Sequence, residues 1–290
     1  MTGFFLSQWF AEFLKFINSI IGNYAVSIIL FTLLVKLLIL PLDIKQKKST
    51  LKQNALQIKM ADIKKRYPSK EKQNEKIQEL YRKENVKPMA GCLSSLISLP
   101  ILMALIGAVA IIANEELIRL VVVDGASPDK IQPFFWVRNM WQPDSGMAPI
   151  MPTLDQWTNI IRDTNLEGLS FLNSGLVETA KTLNYEATIE PILAAHRGFT
   201  NGWFVLPILC GGFQLLQAKL MPAMPSMSGG KGGGKMMFYM MAIVGVVVCV
   251  SQSALFALYW ITSSVFAIIT QFVLNKTIKP EGEDTALEKS

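Results

Sequence analysis

Charge and histidine are scarce in this chain. Only 17% of its 290 residues are Asp, Glu, Lys or Arg, where ordinary soluble domains carry about 25%. With 51% hydrophobic residues and a mean hydropathy of +0.33, the composition excludes an ordinary soluble domain and points to a membrane protein. The single histidine, His196, has no ligand pattern around it and reads as a solvated loop residue. The three cysteines, Cys92, Cys210 and Cys249, all fall in apolar runs, which argues against a disulfide framework or a zinc site. No basic region opens the N-terminus, so a cleaved signal peptide is not expected. A phosphate-binding loop is missing too. The glycines of Ser228-Gly-Gly-Lys-Gly-Gly-Gly-Lys235 follow no strand, and their spacing to lysine is wrong. They read as a flexible, weakly basic linker. No cofactor and no metal are expected.

What the chain does have is long apolar runs. Five stretches are long enough to be read as membrane spans: about 23–42, 92–113, 203–220, 236–251 and 254–275. The fourth is short and ends at Ser251-Gln252-Ser253, a turn that makes a hairpin with the fifth. The first holds a lysine, Lys36, about seven residues before Asp43. A charge at mid-membrane costs about 2.5–3.5 kcal/mol on insertion scales and is a functional candidate by default. The plainer reading is a lysine that snorkels to the inner headgroups along its alkyl stem.

The charges are also unevenly placed. Residues 43–91 hold 14 Lys/Arg against 6 Asp/Glu, whereas residues 114–201 hold 6 against 11. That is the positive-inside pattern. It places the first loop in the cytoplasm, and with five spans it puts the N-terminus outside and the C-terminus inside. Within the basic loop, Ile44 to Arg66 is free of Gly and Pro and reads as a helix. Tyr67-Pro68-Ser69 stops it, Ser69 is the candidate N-cap of a second helix to about Glu84, and the two should pack antiparallel. Lys45, Lys48, Lys64, Lys65 and Arg66 are its basic candidates for contacting lipid headgroups, RNA or a client chain. Residues 4–21 place Phe10, Phe13, Leu14, Ile17 and Ile21 at helical spacing among Glu12 and Lys15. This pattern suits an amphipathic helix lying in the membrane interface, with a short extra span as runner-up. In 114–201, Trp136, Trp141 and Trp157, with Trp203 just beyond, suggest headgroup-level anchors. The carboxylates there look scattered, as surface charge would be.

Three blocks then carry a family resemblance. They are Ser27-Ile-Ile-Leu-Phe-Thr-Leu-Leu-Val-Lys-Leu-Leu-Ile-Leu-Pro-Leu-Asp-Ile-Lys-Gln46, Val86-Lys-Pro-Met-Ala-Gly-Cys-Leu-Ser-Ser-Leu-Ile-Ser-Leu-Pro-Ile101, and Leu206 to Lys219 joined with Ala257-Leu-Tyr-Trp-Ile-Thr-Ser263. With Phe135-Trp-Val-Arg-Asn-Met-Trp-Gln-Pro-Asp144, the order of elements resembles the YidC family of membrane protein insertases, the Oxa/Alb superfamily. The resemblance covers most of 20–144 and 202–278; residues 145–200 are an insertion without a match. It implies an all-α membrane protein with five transmembrane helices around a hydrophilic groove, open to cytoplasm and lipid. It also implies a function, the insertion and folding of newly made membrane proteins in the bacterial plasma (inner) membrane. The family's positive groove residue, usually arginine, falls on Lys36. Gln217 and Trp260 would be its polar neighbours, Gln214 lies on the same span as Gln217, and Thr32 shares the Lys36 face by i,i+4 spacing. Ser98 stands where the second block commonly has a glutamine.

The implied parts are an interfacial helix over 1–22, a membrane core over 23–113 and 202–278, a cytoplasmic hairpin over 43–91, an extracytoplasmic segment over 114–201 and a cytoplasmic tail over 279–290. Implied partners are nascent membrane proteins and the bilayer, with the ribosome and the Sec translocon as further candidates and no DNA. The tail from Glu281 to Glu288 is acidic, whereas family members that dock ribosomes often have basic tails. Two other classes compete: a small-solute transporter or anion channel with Lys36 as its binding cation, and a basic membrane tether for nucleic acid built on 43–91.

Overall fold

A computed structural model describes residues 5–84, 90–195, 200–220 and 233–278; side chains at 50, 53, 54, 57, 58, 90–99, 233–238 and 241 are not described. The acidic tail, the glycine linker and His196 lie outside the described residues. Within them the protein is helical, with one isolated bridge between Phe134 and Val137. In chain order the helices are α1 (Phe5–Ile21), α2 (Tyr24–Arg66), α3 (Lys70–Lys83), α4 (Ala90–Ile118), α5 (Leu154–Asp163), α6 (Ser174–Thr182), α7 (Tyr185–Thr188), α8 (Glu190–Ala195), α9 (Val205–Leu220), α10 (Gly233–Ser251) and α11 (Ala254–Thr277). Tyr24–Ser49, Pro100–Val123 and Ala254–Thr277 are long and apolar enough to cross a membrane, and Val205–Leu220 and Ala242–Ser251 are shorter apolar helices. The molecule is an α-helical, multi-pass membrane protein.

Two boundaries differ from the sequence expectation. The first span and the first basic helix are one 43-residue element, with Pro41 inside it. Proline removes one N–H from the helical ladder. The strong helix formers that follow, rich in Lys, Gln, Leu and Ala, carry the helix on. The other difference is at the end of α4. Its helix continues through a π turn at Arg119–Val123, about ten residues past the expected end of the span.

The chain divides into two compact units. One comprises Met1–Leu33, Ile101–Gly212 and Ile243–Ser263; the other comprises Leu34–Pro100, Phe213–Ala242 and Ser264–Ser290. The chain passes from one to the other five times, each time inside a helix: α2, α4, α9, α10 and α11. The first unit holds 7 Lys/Arg against 12 Asp/Glu, the second 21 against 10. They are called the acidic and basic units below.

In the acidic unit, α1 buries Ser7, Ala11, Leu14 and Ile17 and leaves Phe5, Trp9, Phe16 and Ile20 exposed. Phe10 and Phe13 set their rings against Phe31 of α2, at 5.5 and 5.7 Å. The 145–200 insertion is not a separate body. Its Trp157, Ile160, Leu166, Val177 and Ile189 share one core with Leu117, Ile118, Leu120 and Val121 at the end of α4. Trp157 is therefore a core residue and not a headgroup anchor. A Thr153–Gln156 capping box starts α5. Two buried asparagines close the loops: Asn201 donates to the carbonyls of Asn139, Gln142 and Pro143, and Asn139 donates to that of Ile150. The carbonyls of Gln142 and Met140 accept from Ala254 and Leu255, satisfying first-turn N–H groups of α11. Cys210 and Cys249 bring their thiol sulfurs within 2.9 Å, bridging α9 and α10 by a hydrogen bond.

In the basic unit, α2 and α3 pair antiparallel. Lys59 bonds Glu84 at 2.6 Å, the Tyr81 hydroxyl reaches Met60 Sδ at 3.4 Å, and the Gln73 side chain donates to the carbonyls of Lys64 and Tyr67. Ser69 holds the N-cap position of α3, yet its hydroxyl makes no capping bond. The Gln73 amide covers the end of α2 instead.

Candidate functional site

Lys36 sits on α2 within the basic unit and is half-buried. It makes no hydrogen bond or ion pair among the described residues. The only charge it feels there is Asp43, two turns further along the same helix. A second lysine on that helix behaves differently. Lys47 is 4% exposed, and its ammonium donates to Gln271 Oε1 at 3.0 Å and Asn275 Oδ1 at 2.5 Å, both on α11. The Asn275 amide in turn donates to the carbonyl of Leu220, the last residue of α9. Hydrogen bonds from charged donors contribute about 1.5–3 kcal/mol each. One lysine thus ties the middle of α2 to the ends of α11 and α9, while the other has no such partner among the described residues.

The basic unit also holds Gln214 and Gln217, both half-buried on α9. The Gln214 Oε1 is buried without a hydrogen-bond partner among the described residues. Leaving such an acceptor dry costs about 1–3 kcal/mol. Lys36 is a donor and Gln214 Oε1 an acceptor, and no bond joins them. Both groups lie in the basic unit without a hydrogen-bond partner among the described residues.

The remaining residues expected at the groove are placed as follows. The Ser98 side chain lies outside the described residues. Thr32 belongs to the acidic unit, is fully buried, and turns its hydroxyl back onto the Ile28 carbonyl at 2.6 Å. Trp260, also in the acidic unit, is half-buried and packs edge-on against Phe256 at 5.6 Å. Lys45, Lys48, Lys64, Lys65 and Arg66 are all exposed. Of these, Arg66 pairs with Asp62 at 2.7 Å, a surface contact of small energetic weight.

Asp144, which looked like one of many surface carboxylates, is fully buried. Its Oδ1 accepts from the Trp203 amide at 2.8 Å, and its Oδ2 accepts from the Leu206 amide at 2.6 Å and the Trp136 indole at 3.2 Å. It therefore satisfies the Leu206 N–H in the first turn of α9 and the Trp203 N–H just before it, where a carboxylate is also favoured by the helix dipole. Gly202 permits the approach, since a Cβ there would lie 1.8 Å from Asp144 Oδ1. The turn-forming run Pro143-Asp144-Ser145-Gly146 is the sequence signal that could have singled this carboxylate out.

A further charged group lies on α1. Lys15 bonds Glu115 of α4 at 2.7 Å and Glu12 at 3.0 Å. Burial pulls this ammonium down, but the two carboxylates more than offset it and hold it above the ordinary lysine value. Among the described residues no group of three or more His, Cys, Asp or Glu could hold a metal ion.

A multi-pass helical membrane protein with a lysine in its first apolar helix and a basic helical hairpin defines the class. A family model described as "60Kd inner membrane protein" matches residues 16–281, and the chain belongs to that family. Among its relatives is the membrane protein insertase YidC of Fusobacterium nucleatum, 28% identical over 272 residues, spanning 93% of this chain and 95% of the relative. The membrane protein insertase YidC of Clostridium perfringens is 30% identical over 211 residues, 71% of this chain and 81% of the relative. That of Pseudoalteromonas atlantica is 43% identical over 101 residues, 34% of this chain and only 19% of the longer relative.

Proposed function

We propose that this chain inserts newly made membrane proteins into the bacterial plasma membrane and helps them fold, with Lys36 as the charge that receives the client. The observation that carries the reading is the pairing of a near full-length insertase relative with an intramembrane lysine left unbonded. In this reading α2, α4, α9, α10 and α11 each cross the bilayer, and Lys36, Gln214, Gln217 and Ser98, all in the basic unit, line a hydrophilic groove, whereas the Thr32 hydroxyl is taken up by the Ile28 carbonyl of its own helix. Three helices long and apolar enough to cross a membrane and two shorter apolar ones support five crossings. The excess of Lys/Arg over residues 43–91 supports a cytoplasmic location for that segment, so the N-terminus is outside and the C-terminus inside. Residues 1–22 then lie in the interface, 114–201 outside, and 43–91 in the cytoplasm as a hairpin whose basic face meets headgroups, client or ribosome. The Sec translocon is a further candidate partner.

The mechanism is electrostatic and needs no hydrolysis. A hydrated groove lowers the cost of carrying a client's polar segment part of the way across. The Lys36 ammonium attracts acidic residues in that segment, more strongly than in water because the local dielectric is lower. Burial of the client's apolar helix in lipid, about 25 cal/mol per Å² of apolar surface, then drives release. The transporter or channel alternative finds no support among the relatives, which are insertases by name. Site-specific crosslinking from Lys36 and Gln217 to a stalled nascent membrane protein tests the proposal. Client adducts at both positions are expected, and their absence at both would overturn it.

A further inference from the structure

Between residues 131 and 153 the chain carries two charged side chains, Arg138 and the buried Asp144. The same stretch and the residue leading to α9 present large apolar groups outward: Phe135 is 83% exposed, Met147 81% and Trp203 74%. Phe135 is the first of two residues in a tight turn closed by reciprocal hydrogen bonds between Phe134 and Val137, at 2.8 and 3.0 Å. Its φ is +52°, in the left-handed region that two-residue hairpin turns usually fill with glycine or asparagine. Its ring stacks on Trp136 with centroids 6.0 Å apart, and the Trp136 indole is held by Asp144. Phe204, at φ +62°, is a second bulky residue in that region and directly precedes α9. A core residue held against its backbone preference would be covered; Phe135 is not. Strain kept at an open aromatic position points to something that the side chain touches outside the protein.

We propose that Phe135, Trp136, Met147 and Trp203 form an anchoring wedge seated at the headgroup–acyl boundary of the outer leaflet, with Phe135 at its tip. The occupant is lipid because the wedge runs directly into α9, whose first turns expose Ile208 and Leu209. The patch is also aromatic and thioether in character with almost no charge, the chemistry of the membrane interface. Asp144 holds the wedge to the start of α9 by bonding both Trp136 and the Trp203 amide. The leaflet assigned rests on the orientation proposed above.

Full-length chain with Cys92, Cys210 and Cys249 replaced by alanine, bearing Phe135→Cys labelled with an environment-sensitive fluorophore, is placed in liposomes with nitroxide on the upper acyl chain. Quenching at 135 should be at least twice that at Leu154→Cys, an exposed apolar position on α5. Equal quenching overturns the wedge, and so does quenching at 135 that appears only when another protein is added. Labelling of Leu154→Cys on intact cells by a membrane-impermeant maleimide reads orientation separately. Protection there overturns the leaflet assigned, through the orientation, whatever the quenching ratio. In the otherwise native chain, Phe135→Gly should leave the melting midpoint in detergent unchanged or higher, because glycine adopts φ +52° freely. A midpoint lowered by several degrees would show that Phe135 packs inside the protein and overturn the proposal.

Discussion

In the acidic unit the buried charge is Asp144, and three N–H groups meet its two oxygens. In the basic unit two lysines share α2: Lys47 is closed off by Gln271 and Asn275, and Lys36 is bonded to nothing described. Asp144 and Lys47 are structural charges, whose cost of desolvation is offset by fixed partners at loop and helix ends. Lys36 has no such partner among the described residues, which is what the proposed role as receiver of a client requires. The comparison teaches that position in an apolar helix does not by itself mark a functional charge: Lys47 and Lys36 share α2, and what separates them is the set of partners found among the described residues.

That contrast can be broken in order of expected effect. Asp144→Ala removes three hydrogen bonds to a buried carboxylate and leaves the buried Leu206 amide unpaired, which should cost about 3–5 kcal/mol. The thermal midpoint in detergent checks this, and a shift within error would show that Asp144 is not structural. Lys47→Met keeps the stem but drops both bonds, with an expected loss of about 1.5–3 kcal/mol. Insertion by the folded fraction should be retained, so a loss confined to acidic-tailed clients in Lys47→Met, the defect expected of Lys36→Ala, would erase the distinction between the two lysines. Lys36→Ala should leave the midpoint within about 1 kcal/mol of wild type, since no internal hydrogen bond is lost. It should slow insertion of a client with an acidic external tail by about tenfold, equal to about 1.4 kcal/mol. The smallest effect concerns the helical hairpin. The Lys59 ammonium bonded to Glu84 holds that carboxyl below its ordinary value. A depressed carboxyl stabilises the fold at pH above its unfolded value, and that contribution fades as pH falls through the folded one. Acidification should therefore loosen α2 against α3 slightly, and Glu84→Gln should flatten that dependence in hydrogen exchange of the hairpin.

Much of this was legible in the sequence. Lys36 stands out because one charge interrupts an apolar run, and the basic hairpin because charge and helix formers cluster locally. The observed α3, Lys70–Lys83, lies within the expected second helix. Lys47 was not legible, since its partners lie 224 and 228 residues away and nothing local distinguishes it from its exposed neighbours Lys45 and Lys48. Asp144 was hidden for a related reason. Its partners are mostly backbone amides, which every residue except proline carries, so only a turn-forming run and Gly202 betray it. The continuity of α2 through Pro41 went unread because proline is a good but imperfect stop signal. Trp157 was read by its type, whereas the shared core of α4 and the insertion decides its place.

The most direct test is a charge swap. The Lys36→Glu chain is reconstituted in vesicles and offered a short client whose external tail carries either acidic residues or lysines at the same positions. A free Lys36 that receives the client predicts failure with the acidic tail and recovery with the basic one. Insertion of the acidic-tailed client by Lys36→Glu at the wild-type rate would contradict it.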